Sequence, residues 1–140
     1  MPFTFFDHTG DVGIDVRAST LDGLFWEAAA ALVETITDGA ALVPDVTVEV
    51  RLAAMEIDLL LLDWLSELLF RFETSGFLPA HADIDIRRDA GPWQLRAQVK
   101  GERTAGGRLP LKTLVKAVTY HALRVEEDGQ GWAARVVLDI

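Results

Sequence analysis

Val12, Ile14, Val16 and Ala18 alternate with Asp11, Gly13, Asp15 and Arg17, and a period of two marks a half-buried strand. Asp11, Asp15 and Arg17 therefore point away from the core. Ser19 and Thr20 are helix N-caps by type, and Asp22 follows in the first turn, where the helix dipole favours an acid. Leu21, Leu24, Phe25, Ala28, Leu32 and Ile36 then draw one apolar stripe, so a helix runs to the stop at Asp38-Gly39. Val46, Val48, Val50 and Leu52 alternate with Thr47, Glu49 and Arg51 as a second strand. A second helix is predicted over Ile57 to Glu73, with Asp63, Glu67 and Arg71 four apart on its polar face and Ser75-Gly76 ending it. Ile84 and Ile86, the turn Asp89-Ala90-Gly91-Pro92, and alternation from Trp93 to Val99 read as a hairpin. Val115 to Val125, the acidic turn Glu126 to Gly131, and Trp132 to Ile140 read as a second hairpin. The segment LKTLVKAVTYHAL can also be drawn as a helix, since Leu111, Leu114, Val115 and Val118 share a face. The β-branched and aromatic content of VKAVTYH favours a strand.

The predicted order is strand, helix, strand, helix, then four strands. That is an α+β fold, a single domain over residues 1–140, with two amphipathic helices packed on one face of a largely antiparallel sheet. A chain of 140 residues, half of them hydrophobic, is large enough to bury one core without staples. The absence of cysteine removes disulfides, thiolate metal sites and cysteine nucleophiles from consideration. The formal net charge of −9 disfavours direct contact with a phosphate backbone. A role on RNA would therefore run through a protein partner or a bound cation. The opening MPFTFFDH has neither a basic segment nor an apolar signal core. Charges interrupt the apolar run from Ile57 to Phe72, so no membrane span is expected. The expected location is the cytoplasm.

No Walker loop, dinucleotide fingerprint, HExxH or nucleophile elbow is present. The candidate chemistry lies in FDHTGDVGIDV, residues 6–16, where Asp7, Asp11 and Asp15 surround His8 and two glycines. The ordinary reading of any one of these acids is a solvated strand face. Asp11 invites more, because its glycine neighbours permit close approach of another chain or an ion. If the first and last strands are neighbours, Asp11 meets Asp139 and the terminal carboxylate of Ile140. Carboxylates gathered in this way repel, and a cation relieves the repulsion. Oxygen-only ligands select a hard ion, Ca²⁺ or Mg²⁺. His8, His81 and His121 share no ligand spacing, and each alone reads as a hydrogen-bonded or surface residue. Lys116, between Val115 and Ala117, either reaches out at an edge or pairs with an acid. Trp26, Trp64, Trp93 and Trp132 fall on predicted core faces and read as packing.

FDHTGDVGI, LFWEAAAAL, LLLLDWLSELLFRFET, Gly101-Glu102, VKAVTYHAL and the closing VVLDI resemble the archease family in order and spacing, from end to end of the chain. The resemblance implies an archease-like fold and a role as protein cofactor of an RtcB-type RNA ligase, which joins a 3′-phosphate or 2′,3′-cyclic phosphate end to a 5′-hydroxyl. Such a cofactor promotes the ligase's histidine–guanylate intermediate and multiple turnover in tRNA splicing and RNA repair, and is not itself an enzyme. It also implies a divalent-cation site, usually for Ca²⁺, at Asp11, Asp139 and Ile140. Roles in ligase activation are implied for Lys116, Asp7, His8 and His121. Two departures stand out. Gly10 occupies a position where alanine is common in the family. Leu109 and Leu114 stand where many members carry a histidine and an acid. The alternative from another class is a small metal-dependent hydrolase or phosphotransferase using Asp11 and Asp139 to activate water.

Overall fold

The computed structural model describes residues 2–8, 10–37, 41–104 and 111–140, with Asp7 and His8 described by backbone only. The predicted helix stop at Asp38-Gly39 and the departure at Leu109 lie outside the described residues. The described elements are β1 (Phe3–His8), β2 (Asp11–Ala18), α1 (Leu21–Thr37), β3 (Val46–Ala54), α2 (Ile57–Ser75), β4 (Phe77–Arg87), β5 (Trp93–Arg103), β6 (Ala117–Asp128) and β7 (Gly131–Asp139). All strand pairs are antiparallel. They form a four-stranded sheet in the order β1-β2-β7-β6 and a three-stranded sheet in the order β3-β5-β4. The α+β class with antiparallel pairing and two helices holds. The strands are divided between two sheets, and each helix packs against strands of both: α1 on β2 and β4, α2 on β6 and β4.

Helix boundaries follow their local chemistry. The Thr20 hydroxyl accepts the Gly23 N–H at 3.0 Å, which satisfies one of the orphan donors at the start of α1. Gly76 adopts φ 71° just past α2 and donates its N–H to Phe72 at 2.8 Å, a left-handed cap that glycine accepts without strain. Because α1 is covered from both sides, its burial extends beyond the predicted stripe to Ala29, Ala31, Val33, Thr35 and Thr37. The two buried threonine hydroxyls are satisfied within the helix, Thr35 donating to the Ala31 carbonyl and Thr37 to that of Val33, both at 2.9 Å. Trp64 is fully buried and donates its indole N–H to the Phe25 carbonyl at 3.0 Å, locking the helices together. The other three tryptophans are half-buried against the same core.

Three boundaries differ from expectation. β1 is an unpredicted strand. Its Phe3 and Phe5 meet edge-on at 5.5 Å, but Phe5-Phe6 breaks the polar alternation that would have announced it. β4 begins at Phe77 because its first residues, Phe77 to Pro79, are all buried and leave no period of two to read. β6 begins at Ala117; residues 111–116 have no regular structure, although Val115 is buried. Neither the helical alternative nor an early strand start describes this segment.

Candidate functional site at the paired ends of β2 and β7

The four-stranded sheet sets the ends of its strands side by side. His8 of β1 pairs with Asp11 of β2, Asp11 with Asp139 of β7, and Asp139 with Ala117 of β6. The supposed neighbour relation between the first and last strands is therefore present, although β2 and β7 lie at opposite ends of the chain. Residues paired across strands project to one face with Cβ atoms about 4.5–5.5 Å apart, so the Asp11 and Asp139 carboxyl groups share a face. Both residues are half-buried, and the terminal residue Ile140 follows directly, 37% exposed. Ala117, next on the same row, adds only a methyl group beside Asp139.

Lys116 joins this corner through its backbone, donating its N–H to the Asp139 carbonyl at 2.7 Å. Its side chain is exposed and, among the described residues, forms no ion pair, which leaves the solvent-reaching reading of Lys116. The backbone also brings Asp7 opposite Val12 and His8 opposite Asp11. His121 is not part of the row. It sits, exposed, in a wide bulge where β6 loses register with β7 between Thr119 and Arg124, and Ala122 there adopts φ 57°. His81 lies in the other sheet, 3.2 Å from Asp83 and beside Trp26. Gly10 has φ 71° in the turn between β1 and β2. That value suits glycine and not alanine.

The next row inward is built without room to spare. Phe6 pairs with Gly13, Gly13 with Val137, and Val137 with Thr119. The Phe6 ring lies across Gly13 so closely that a Cβ there would stand 2.1 Å from it. Thr119 donates its hydroxyl to the Val137 carbonyl at 2.9 Å. The Arg135 guanidinium lies over the Phe6 ring, 4.4 Å from its centre, and grips Asp15 through two bonds of 2.8 and 2.9 Å. Those bonds hold the Asp15 carboxyl below its usual range. Sequence reasoning passed over Phe6, Ala117 and Arg135. A glycine inside a strand pattern, Gly13, was the available signal of a close approach.

Among the described residues no three His, Asp or Glu side chains gather closely enough to hold a metal ion. The oxygen donors that the row brings together are the side-chain carboxylates of Asp11 and Asp139, with Ile140 following directly. Their oxygen chemistry fits a hard cation with ligand distances of about 2.3–2.6 Å. A concavity of about 710 Å³ lies elsewhere, over the outer face of the three-stranded sheet. There Glu49 pairs with Arg51 and Asp85 with Arg87, so its charges largely cancel. No described helix is long and apolar enough to cross a membrane.

The sequence profile of the Archease protein family matches residues 3–140. The chain is 38% identical to the protein archease of Methanopyrus kandleri over the whole length of both, and 35% identical to that of Methanosarcina barkeri over 99% of this chain and 95% of the relative. The solution structure of a Methanobacterium thermoautotrophicum protein superposes with a TM-score of 0.87 at 31% identity, covering 99% of each chain. An archease crystal structure from Thermotoga maritima, described there as a possible chaperone, shares the fold with a TM-score of 0.63 at 23% identity, covering 96% of this chain and 94% of that one.

Proposed function

Because this chain belongs to the archease family, we propose that it is a non-enzymatic activator of an RtcB-type RNA ligase, with the row ending β2 and β7 as its working end. The observation that carries this reading is the pairing of Asp11 with Asp139 beside the chain terminus. A fold gains nothing from like charges set directly opposite each other, so their placement calls for a use.

Asp11, Asp139 and the Ile140 carboxylate would hold Ca²⁺ or another hard divalent cation, whose charge offsets their mutual repulsion. The rest follows from the protein's own groups. The Lys116 N–H bond to the Asp139 carbonyl at 2.7 Å fixes the last residues against the start of β6, so the terminal carboxylate is presented in a defined place. The Phe6–Gly13 contact and the Asp15–Arg135 pair stiffen the sheet beneath. Lys116 projects into solvent from the same corner, where its ammonium group can meet a nucleotide triphosphate or an acidic group of the ligase. An acidic corner of this kind suits entry into a cavity that handles metal ions and nucleotides. By holding that cavity in its reactive form, the protein promotes guanylylation of the ligase histidine and repeated turnover, in tRNA splicing and RNA repair in the cytoplasm.

The test is guanylylation and multiple-turnover ligation by the cognate ligase, with and without this protein, wild type against Asp11→Ala. Stimulation by wild type that is lost in the variant is the expected result. No stimulation by wild type overturns the activator reading and returns attention to metal-dependent hydrolysis. Equal stimulation by both proteins removes the row from the mechanism.

A further inference from the structure

On the outward face of the four-stranded sheet, β2 presents Asp11, Gly13 and Asp15, and β7 sets Asp139, Val137 and Arg135 opposite them. Outward positions on one strand recur every 7 Å or so, roughly the reach of an arginine side chain. Arg135 therefore stands close enough to the acidic row for its charge to matter there, and three contacts decide where that charge lies. Asp15 takes the guanidinium through two bonds of 2.8 and 2.9 Å. Arg124, directly across on β6, repels it towards β2. The Phe6 ring, its centre 4.4 Å from the guanidinium, fills the space that a Gly13 side chain would occupy. Along β2 the order is thus guanidinium at Asp15, aromatic ring at Gly13, carboxylate at Asp11. Val137, at the matching place on β7, faces outward and is nonetheless fully buried. A closed apolar row separates the protein's own cation from its paired acids.

We propose that Phe6 is a positioning residue for the cation site: its ring keeps Arg135 on Asp15 and so leaves Asp11 and Asp139 to a divalent ion. This inference rests on the cation site of the reading above. The ring acts in two ways. It occupies the one outward position on β2 between the guanidinium and Asp11, and its π face attracts the guanidinium where it already lies. Without the ring, the bare backbone at Gly13 opens that position to Arg135. A guanidinium there would offset the acids from within the protein, and an arriving Ca²⁺ would meet a like charge. Gly13 completes the device, because any side chain at this position would stand in the ring's place. Asp15 alone is a weaker restraint, since a half-exposed ion pair is easily exchanged for another.

The experiment measures Ca²⁺ binding by the full-length chain in titration calorimetry, with no ligase present. The proteins are wild type, Phe6→Ala, Phe6→Ala/Arg135→Gln, Asp15→Asn and Phe6→Ala/Asp15→Asn. Phe6→Ala should weaken Ca²⁺ affinity about tenfold or more, the range for residues that support a metal site from outside it. Removing the competing charge in Phe6→Ala/Arg135→Gln should return the affinity to near wild type. Asp15→Asn, with the ring in place, should bind like wild type, and Phe6→Ala/Asp15→Asn should bind most weakly of all. If Phe6→Ala fails to fold, Phe6→Leu takes its place, with a smaller loss that Arg135→Gln again repairs. Wild-type affinity in the Phe6 variants overturns the proposal and leaves the cation site standing. A loss that Arg135→Gln does not repair makes Phe6 a packing residue only and also overturns it. If wild type binds no Ca²⁺, the cation site fails and this proposal with it, while ligase stimulation decides the activator reading separately.

Discussion

Four residues apart on the same two strands, β2 and β7 pair Asp11 with Asp139 and Asp15 with Arg135. The second pair is what a stable sheet is expected to contain: opposite charges directly across from one another, joined by two hydrogen bonds. The first pair sets acid against acid at the end of the strands, directly before Ile140. Backbone geometry, strand order and partial burial are shared by the two rows, so the difference lies in the side chains alone. One row can be explained by folding. The other is the row that the proposed function uses.

That contrast can be broken experimentally, and the largest effect should come from the acidic row. Asp139→Asn is nearly isosteric and removes one charge from the row. It should fold as well as wild type and lose ligase stimulation by about tenfold or more, in the range seen when groups supporting a metal site are altered. Next in size is the response to Ca²⁺. At a hundredfold excess over its dissociation constant, Ca²⁺ should stabilise wild type by about 2.7 kcal/mol. Thermal melts with and without chelator should show no such gain for Asp139→Asn, and an undiminished gain for Asp15→Asn.

Between the two rows stands Gly13 under the Phe6 ring. Gly13→Val must displace that ring from both the strand and Arg135, at a cost on the order of 1–3 kcal/mol in urea unfolding. In a Phe6→Ala background the same substitution should cost less, a coupling that a double-mutant cycle reads directly. The smallest effect belongs to the charged pair. Asp15→Asn should lower the melting midpoint at neutral pH by about 2 °C, as expected for a half-exposed pair. Arg135 holds the folded pKa of Asp15 below the ordinary aspartate value of about 3.9. The pair's contribution is therefore complete above that value and is lost as pH falls through the depressed folded pKa. Wild type and Asp15→Asn should converge in stability in strong acid.

What could be read from the residues follows from the range of the forces involved. Alternation at Val12 to Ala18, Val46 to Leu52 and Trp93 to Val99 located strands because each has one buried face. Thr20 and Gly76 located helix ends because capping is a matter of three or four residues. β1 was missed because an edge strand whose aromatic residues fall on both faces has no clean period. The division into two sheets was missed because nothing local in β3, β4 and β5 says that they do not continue the sheet of β2 and β7. The bulge at Tyr120 to Leu123 was likewise invisible, since its sequence is compatible with regular pairing. The Asp11–Asp139 row was legible only conditionally. The charges were plain, but a pairing between strands more than 100 residues apart is fixed by the whole core.

The most direct test of the account places the two rows side by side in one assay: stimulation of ligase guanylylation by Asp139→Asn and by Asp15→Asn, each at saturating concentration. Asp139→Asn should fold correctly and fail to stimulate, and Asp15→Asn should stimulate like wild type despite its lower melting midpoint. Full stimulation by Asp139→Asn, or equal loss in both, would contradict the claim that the acidic row is the working end of the protein.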